Sequence, residues 1–149
     1  MSWSTMRATA PTFELPAVPT TVVVPHPDDE VLMFGAMIQT QRQRGVDVQV
    51  IAVTDGEAAY PDDGVRPDRL AAIRRGEQMA ALAQLGIDGA AVQRLGLADG
   101  DVEHHLDALA DAIVATGNPM VFAPWAHDHH CDHEACGNAA LLAGARTGA

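Results

Sequence analysis

Two short stretches of the chain concentrate the side chains able to do chemistry. The first, Val24-Pro25-His26-Pro27-Asp28-Asp29-Glu30, packs one imidazole and three carboxylates together. The second, His127-Asp128-His129-His130-Cys131-Asp132-His133, holds four of the seven histidines. Imidazole and carboxylate are zinc ligands, and a catalytic zinc takes three protein ligands and leaves a fourth position for water. Such a set can activate water, because a bound metal lowers the pKa of its water toward neutrality. Each stretch alone has a plainer explanation. An Asp-Asp-Glu run can sit at a helix start, where the dipole favours negative charge. A histidine-rich loop can bind metal adventitiously. Together, each supplies ligands that the other lacks.

Those stretches need elements that bring them to one place. Residues 21–24 are short and β-branched and predict a buried strand, and 30–44 predict a helix that stops at Gly45. Residues 46–53 alternate and predict a strand, 60–67 a loop around two prolines, and 68–85 a helix closing at Gly86. A weak strand over 91–95, a helix over 102–116, a strand over 120–123 and a final helix over 133–146 complete the pattern. Strands alternating with helices give an α/β fold: a Rossmann-like three-layer sandwich with a mostly parallel sheet. Ligands in such sheets bind beyond the carboxyl ends of the strands, where both stretches fall.

A length of 149 residues is one ordinary domain, here 21–149, preceded by an extended, proline-bearing lead-in over 1–20. Hydrophobic residues at 48% against 19% charged exclude a disordered chain. Twenty acidic against nine basic residues give a net charge of -11, which excludes a nucleic-acid binder and a polybasic membrane patch. No apolar run is long enough to span a membrane, and the N-terminus does not read as a signal peptide. Two cysteines do not make a disulfide framework, so a reducing cytoplasm is the default location.

On the helix over 68–85, Leu70, Ile73, Ala81 and Leu85 share a face with Arg74 and Glu77 in its middle. A charged pair there is either an ion pair at the core edge or an arginine, held by Glu77, that faces a polar cleft. His104 and His105 read as solvated, His127 and His129 as loop residues, Trp125 as a stacking or packing aromatic, and Cys136 as buried. Glu30 reads as a supporting residue rather than a ligand.

The run His26-Pro27-Asp28-Asp29-Glu30, followed distally by His130-Cys131-Asp132-His133, resembles the PIG-L/LmbE family of zinc-dependent N-deacetylases. Thr54-Asp55-Gly56-Glu57, Ile73-Arg74-Arg75-Gly76-Glu77 and Leu95-Gly96-Leu97-Ala98-Asp99-Gly100 agree with it, from about residue 21 to 146. The resemblance implies removal of an acetyl group from an N-acetylated amino sugar or its conjugate. It implies zinc on His26, Asp29 and His133, with metal-bound water attacking the acetamide and Asp28 as general base. It implies His130 facing the reacting carbonyl, Asp132 orienting and charge-tuning His130, and Arg74 and Asp99 contacting substrate. Two departures stand out. The family usually has proline at the position of Cys131, and its members continue well past the final helix, so this chain is C-terminally short relative to the family. A sheet edge exposed by that shortness would favour an oligomer. Two other classes remain as alternatives: a truncated or decayed domain that only binds metal, and a magnesium-dependent phosphoryl hydrolase, which the clustered histidines disfavour because magnesium prefers oxygen. Dinucleotide binding is disfavoured, since no G-x-G-x-x-G follows the first strand.

Overall fold

The structure, a computed structural model, describes residues 13–60 and 64–148. Four strands form one parallel sheet in the order β3-β2-β1-β4: β1 Thr20–Val24, β2 Val48–Thr54, β3 Val92–Leu97 and β4 Met120–Phe122. The helices are α1 Asp29–Leu32, α2 Gly35–Gln43, α3 Pro67–Gln84, α4 Leu106–Ala115 and α5 Cys131–Thr147. All five residues of β1 are buried, as a strand covered on both faces requires. Side chains alternate between the faces. Val22 and Val24 pack with Phe34, Ile38, Val50 and Leu82, under α2 and α3. Val23 packs with Ile51, Leu109, Ile113, Cys136 and Ala139, under α4 and α5. Each fully buried valine contributes about 1.5–3 kcal/mol relative to exposure. The expected three-layer α/β sandwich is therefore present, with one core on each side of the sheet.

The strand order positions the site. Val22 of β1 is in register with Val50 of β2 on one side and with Phe122 of β4 on the other. The chain thus winds outward from β1 in both directions, and a crevice opens where the winding reverses, beyond the carboxyl ends of β1 and β4. His26 follows β1, and the histidine-rich segment follows β4.

Several element boundaries move. The helix expected over 30–44 is two helices, because the chain breaks at Met33 and Phe34 to bury the Phe34 ring in the core. The helix expected over 102–116 begins as a 3₁₀ turn, Val102–His105, whose exposed His104 and half-buried His105 pair with Asp101. The last helix starts at Cys131, two residues earlier than expected, so Asp132 and His133 stand on its first turn. Of the expected lead-in, residues 1–12 lie outside the described residues, and 13–19 form neither helix nor strand. Residues 61–63 of the expected loop also lie outside them. Among the described residues, no helix is long and apolar enough to cross a membrane.

Candidate functional site

The turn after β1 carries the first half of the site. Asp28 adopts a left-handed backbone, φ 114°, that is uncommon for a residue with a side chain. Its neighbours hold it there. The Asp28 N–H donates to Glu30 Oε2 at 3.1 Å. Arg74 of α3 donates to the Pro27 carbonyl at 2.6 Å, the Gly56 carbonyl at 3.0 Å and Asp28 Oδ2 at 3.1 Å. Gly56 is required for this clamp, since a Cβ there would lie 2.1 Å from Arg74 Nη1. Glu30 is fully buried; burial raises its pKa, Gln78 Nε2 donates to it at 3.2 Å, and its Oε1 has no partner.

The first turn of α5 carries the other half. Gly137 lets the segment after β4 lie directly on this helix, because a Cβ there would come within 2.6 Å of the Pro124 carbonyl oxygen. Asp132 is fully buried and accepts from the Gly100 N–H at 2.7 Å and the Val102 N–H at 3.2 Å. Burial works to raise its pKa, but bonds from His26, Gly100 and Val102 prevail and hold it down at about 2.

The halves meet on one oxygen. Asp29 Oδ2 stands 3.3 Å from His26 Nδ1 and 3.3 Å from His133 Nε2. Each imidazole is backed at its far nitrogen by a carboxylate: His26 Nε2 lies 3.1 Å from Asp132 and 3.3 Å from Asp99, and His133 Nδ1 bonds Asp128. Burial works against charge on His26, but its bonds to Asp132, Asp29 and Asp99 outweigh that and push its pKa up to about 11. Asp29 and Asp99 lie below the usual carboxylate range. For Asp29, burial opposes that shift and His26 is the largest cause in its favour; for Asp99, His26 is the largest cause overall.

These residues fit a zinc ion. Two donors about 2.0–2.1 Å from a tetrahedral zinc stand about 3.3 Å apart, which is the spacing of both imidazole nitrogens from Asp29 Oδ2. A carboxylate behind each ligating histidine is the usual support of such sites. His26, Asp29 and His133 form one group with ligand atoms within 4.8 Å of one another, and His26, His130 and Asp132 form a second. The first has the carboxylates behind its histidines; in the second, Asp132 is already occupied by two backbone N–H groups.

A cleft of about 500 Å³ opens over this oxygen, lined by His26, Asp28, Asp29, Arg74, Asp99, His130 and His133. Seven of the eight site residues expected from sequence therefore share one cavity, and Asp132 lies behind them. Three details differ from expectation. Asp132 hydrogen-bonds His26 rather than His130. Glu77 is exposed and does not hold Arg74, whose partners are the Pro27 and Gly56 carbonyls and Asp28. The buried stripe of α3 is Leu70, Ala71, Arg74, Gln78 and Leu82, while Ile73 is exposed. His130 packs against both other imidazoles, its ring centroid 4.8 Å from that of His26 and 4.7 Å from that of His133, which are themselves 5.4 Å apart. Sequence reasoning missed the part played by Asp128; a carboxylate close in sequence to a candidate histidine ligand was the available signal. Cys131 is exposed, with Sγ 3.8 Å from Asp132, and belongs to neither donor group. Trp125 is exposed against His127 and lies outside the cleft, and Cys136 is buried, with its thiol pKa pushed up by burial.

Known proteins resemble this chain in sequence and in fold. Residues 21–143 match the family model described as PIG-L, GlcNAc-PI de-N-acetylase. A 1D-myo-inositol 2-acetamido-2-deoxy-alpha-D-glucopyranoside deacetylase of Mycolicibacterium vanbaalenii is 44% identical over 70 residues, 42% of this chain and 25% of that one. The N,N'-diacetylchitobiose deacetylase of Pyrococcus horikoshii, solved with an inhibitor, superposes with a TM-score of 0.76 at 27% identity, over 86% of this chain and 50% of that one. The zinc-inhibited form of teicoplanin deacetylase Orf2 superposes with a TM-score of 0.72 at 25% identity, over 87% of this chain and 64% of that one. The chain thus spans between a quarter and about two thirds of the length of these relatives.

Proposed function

We propose, from the premise that this chain belongs to the PIG-L family, that it is a zinc-dependent hydrolase removing an acetyl group from the nitrogen of an N-acetylated amino sugar or its conjugate. The observation that carries the reading is the convergence of His26 and His133 on Asp29 Oδ2, each at 3.3 Å, at the floor of a cleft that also holds Asp28. Zinc on His26, Asp29 and His133 would supply Lewis acidity and water activation at neutral pH. The protein's own groups do the rest. Asp28, outside the ligand set, takes the proton of the attacking water, and its clamped backbone fixes where its carboxylate stands. His130, at the cleft wall, faces the oxygen on which negative charge develops; such a donor typically contributes about 3–4 kcal/mol. Asp132 and Asp128 hold the two ligating imidazoles in orientation. Asp99 and the exposed parts of Arg74 meet the sugar. A proton from Asp28 or from His130 reaches the nitrogen as its bond to the acetyl carbon breaks, and the products are acetate and a free amine.

The test is a pair of variants read on two scales. Asp28→Ala should keep about one zinc per chain and lose most turnover of an N-acetylglucosaminide, whereas His133→Ala should lose the metal itself. Zinc is supplied at one equivalent, so that the metal counted is metal held at a single site. Equal zinc loss in both variants sinks the division of roles. Folded, zinc-loaded wild type that turns over no acetamide favours a domain that binds metal without catalysis.

A further inference from the structure

Position 78 of α3 departs from what the buried stripe of a helix ordinarily carries. Gln78 is 1% exposed and sits between Arg74 and Leu82 on that stripe, where leucine or methionine would fill similar space with no polar group to desolvate. Its amide is instead used at both ends. Arg94 of β3 donates to Gln78 Oε1 at 2.7 Å, and Gln78 Nε2 donates to Glu30 Oε2 at 3.2 Å. An arginine can only donate, so the amide faces one way. Arg94 is fixed in turn, because it donates to Asp55 at 2.8 Å and Arg75 donates to the same carboxylate at 2.6 Å. At the other end of the chain of bonds, Glu30 Oε2 accepts from the Asp28 N–H at 3.1 Å. Among the described residues, Gln78 is the one side chain that donates to Glu30.

We propose that Gln78 is a positioning residue for the reaction: through Glu30 it holds the base Asp28 in its left-handed backbone, and Arg94 fixes the amide from behind. The inference rests on the deacetylase reading of the cleft. Arg74 and Gln78 lie about one helical turn apart on α3, so the helix grips the turn after β1 at two places. Arg74 holds the Pro27 carbonyl and the Asp28 carboxylate, and Gln78 holds the acceptor of the Asp28 N–H. A residue at φ 114° persists only where its surroundings over-determine it, and its carboxylate moves with its backbone when a hold is lost. Neither Gln78 nor Glu30 lines the cleft over Asp29, so both act without touching substrate. Displacing a reacting group by about 1 Å can cost about a hundredfold in rate.

Gln78→Met keeps the packing and removes both polar ends, and it is read in two ways. By NMR on the metal-free chain, the amide proton of Asp28 should move upfield as its bond to Glu30 loosens. In the zinc-loaded enzyme acting on an N-acetylglucosaminide, kcat should fall about ten- to a hundredfold while KM stays within about twofold and zinc remains at about one per chain. Arg94 is partly exposed, so its variants serve where Gln78→Met does not fold. Arg94→Met should move the same resonance in the same direction and lower kcat about three- to tenfold, and Arg94→Lys, which keeps a donor for Gln78 Oε1, should recover part of the loss. An unmoved Asp28 resonance, an unchanged kcat beside a lowered melting temperature, or a raised KM at constant kcat overturns the positioning role. Wild type that turns over no acetamide overturns the deacetylase reading instead, and the Asp28 resonance alone then decides whether Gln78 holds that backbone.

Discussion

Replacing Arg74 by methionine separates a residue that holds the fold from one that only meets substrate. Methionine keeps most of the stem and its packing while removing every donor. Arg74 is 9% exposed, and its guanidinium satisfies the Pro27 and Gly56 carbonyls. Each such bond from a charged donor is worth about 1.5–3 kcal/mol net, so losing two costs about 3–6 kcal/mol. The Asp28 contact adds little, because that side chain is 57% exposed and screened by solvent. The loss is a large share of an ordinary domain stability of about 5–15 kcal/mol. Urea unfolding with zinc held at one equivalent reads it directly: the midpoint should fall with an unchanged slope. Arg74→Lys, which can still reach one carbonyl, should recover part of the loss. A decrease below about 1 kcal/mol together with a raised KM would refute the clamp and leave Arg74 as a substrate contact alone.

Asp128→Asn removes the carboxylate behind His133 and should weaken zinc binding about ten- to a hundredfold, read by competition with a chromophoric chelator; an unchanged affinity would detach Asp128 from the site. The metal-free chain should show a distinctive pH profile. His26 has its pKa raised from 6.5 to about 11, so its contribution is complete below 6.5 and declines as pH rises toward 11; Asp132 is lowered from 3.8 to about 2, so its contribution is present above 3.8 and lost as pH falls to 2. Denaturant midpoints across pH that rise steadily from 7 to 10 would contradict the His26 network. Zinc must displace that proton, so calorimetry in buffers of differing ionisation enthalpy should show protons released on binding. Gly137→Ala pushes a methyl against the Pro124 carbonyl and the Ala126 nitrogen, at 2.6 and 2.8 Å, and should cost about 1–3 kcal/mol and weaken zinc binding; an unchanged melting temperature would show that the segment yields freely.

What the sequence disclosed followed from what is local in it. The proposed ligands His26 and Asp29 are three residues apart in one turn, and His130, Asp132 and His133 lie within four consecutive residues, so residue type and spacing were enough to mark them as candidates. The strand pattern likewise told where both turns must lie. The supports were hidden because they are distant in the chain: Asp132 reaches His26 across 106 residues and Arg74 reaches the Pro27 carbonyl across 47. Helical periodicity on α3 misled for a related reason. It gave Ile73 to the core, but the sheet takes the stripe through Arg74 and Gln78, because those polar groups have buried partners waiting in Glu30, the Pro27 carbonyl and the Gly56 carbonyl. The break at Met33 and Phe34 was equally unreadable, since it answers to a core pocket for the Phe34 ring and not to any helix-stopping residue.

The left-handed backbone at Asp28 sets the two demands on that position against each other. A residue with a side chain at φ 114° carries strain of about 1–3 kcal/mol, and glycine would relieve it. A library of all substitutions at position 28, sorted once for thermal survival and once for turnover, should therefore rank glycine near the top of the first sort and near the bottom of the second. Stabilising this protein by design would begin by eroding its activity, and the residue to leave untouched is the one that fits its own backbone least well.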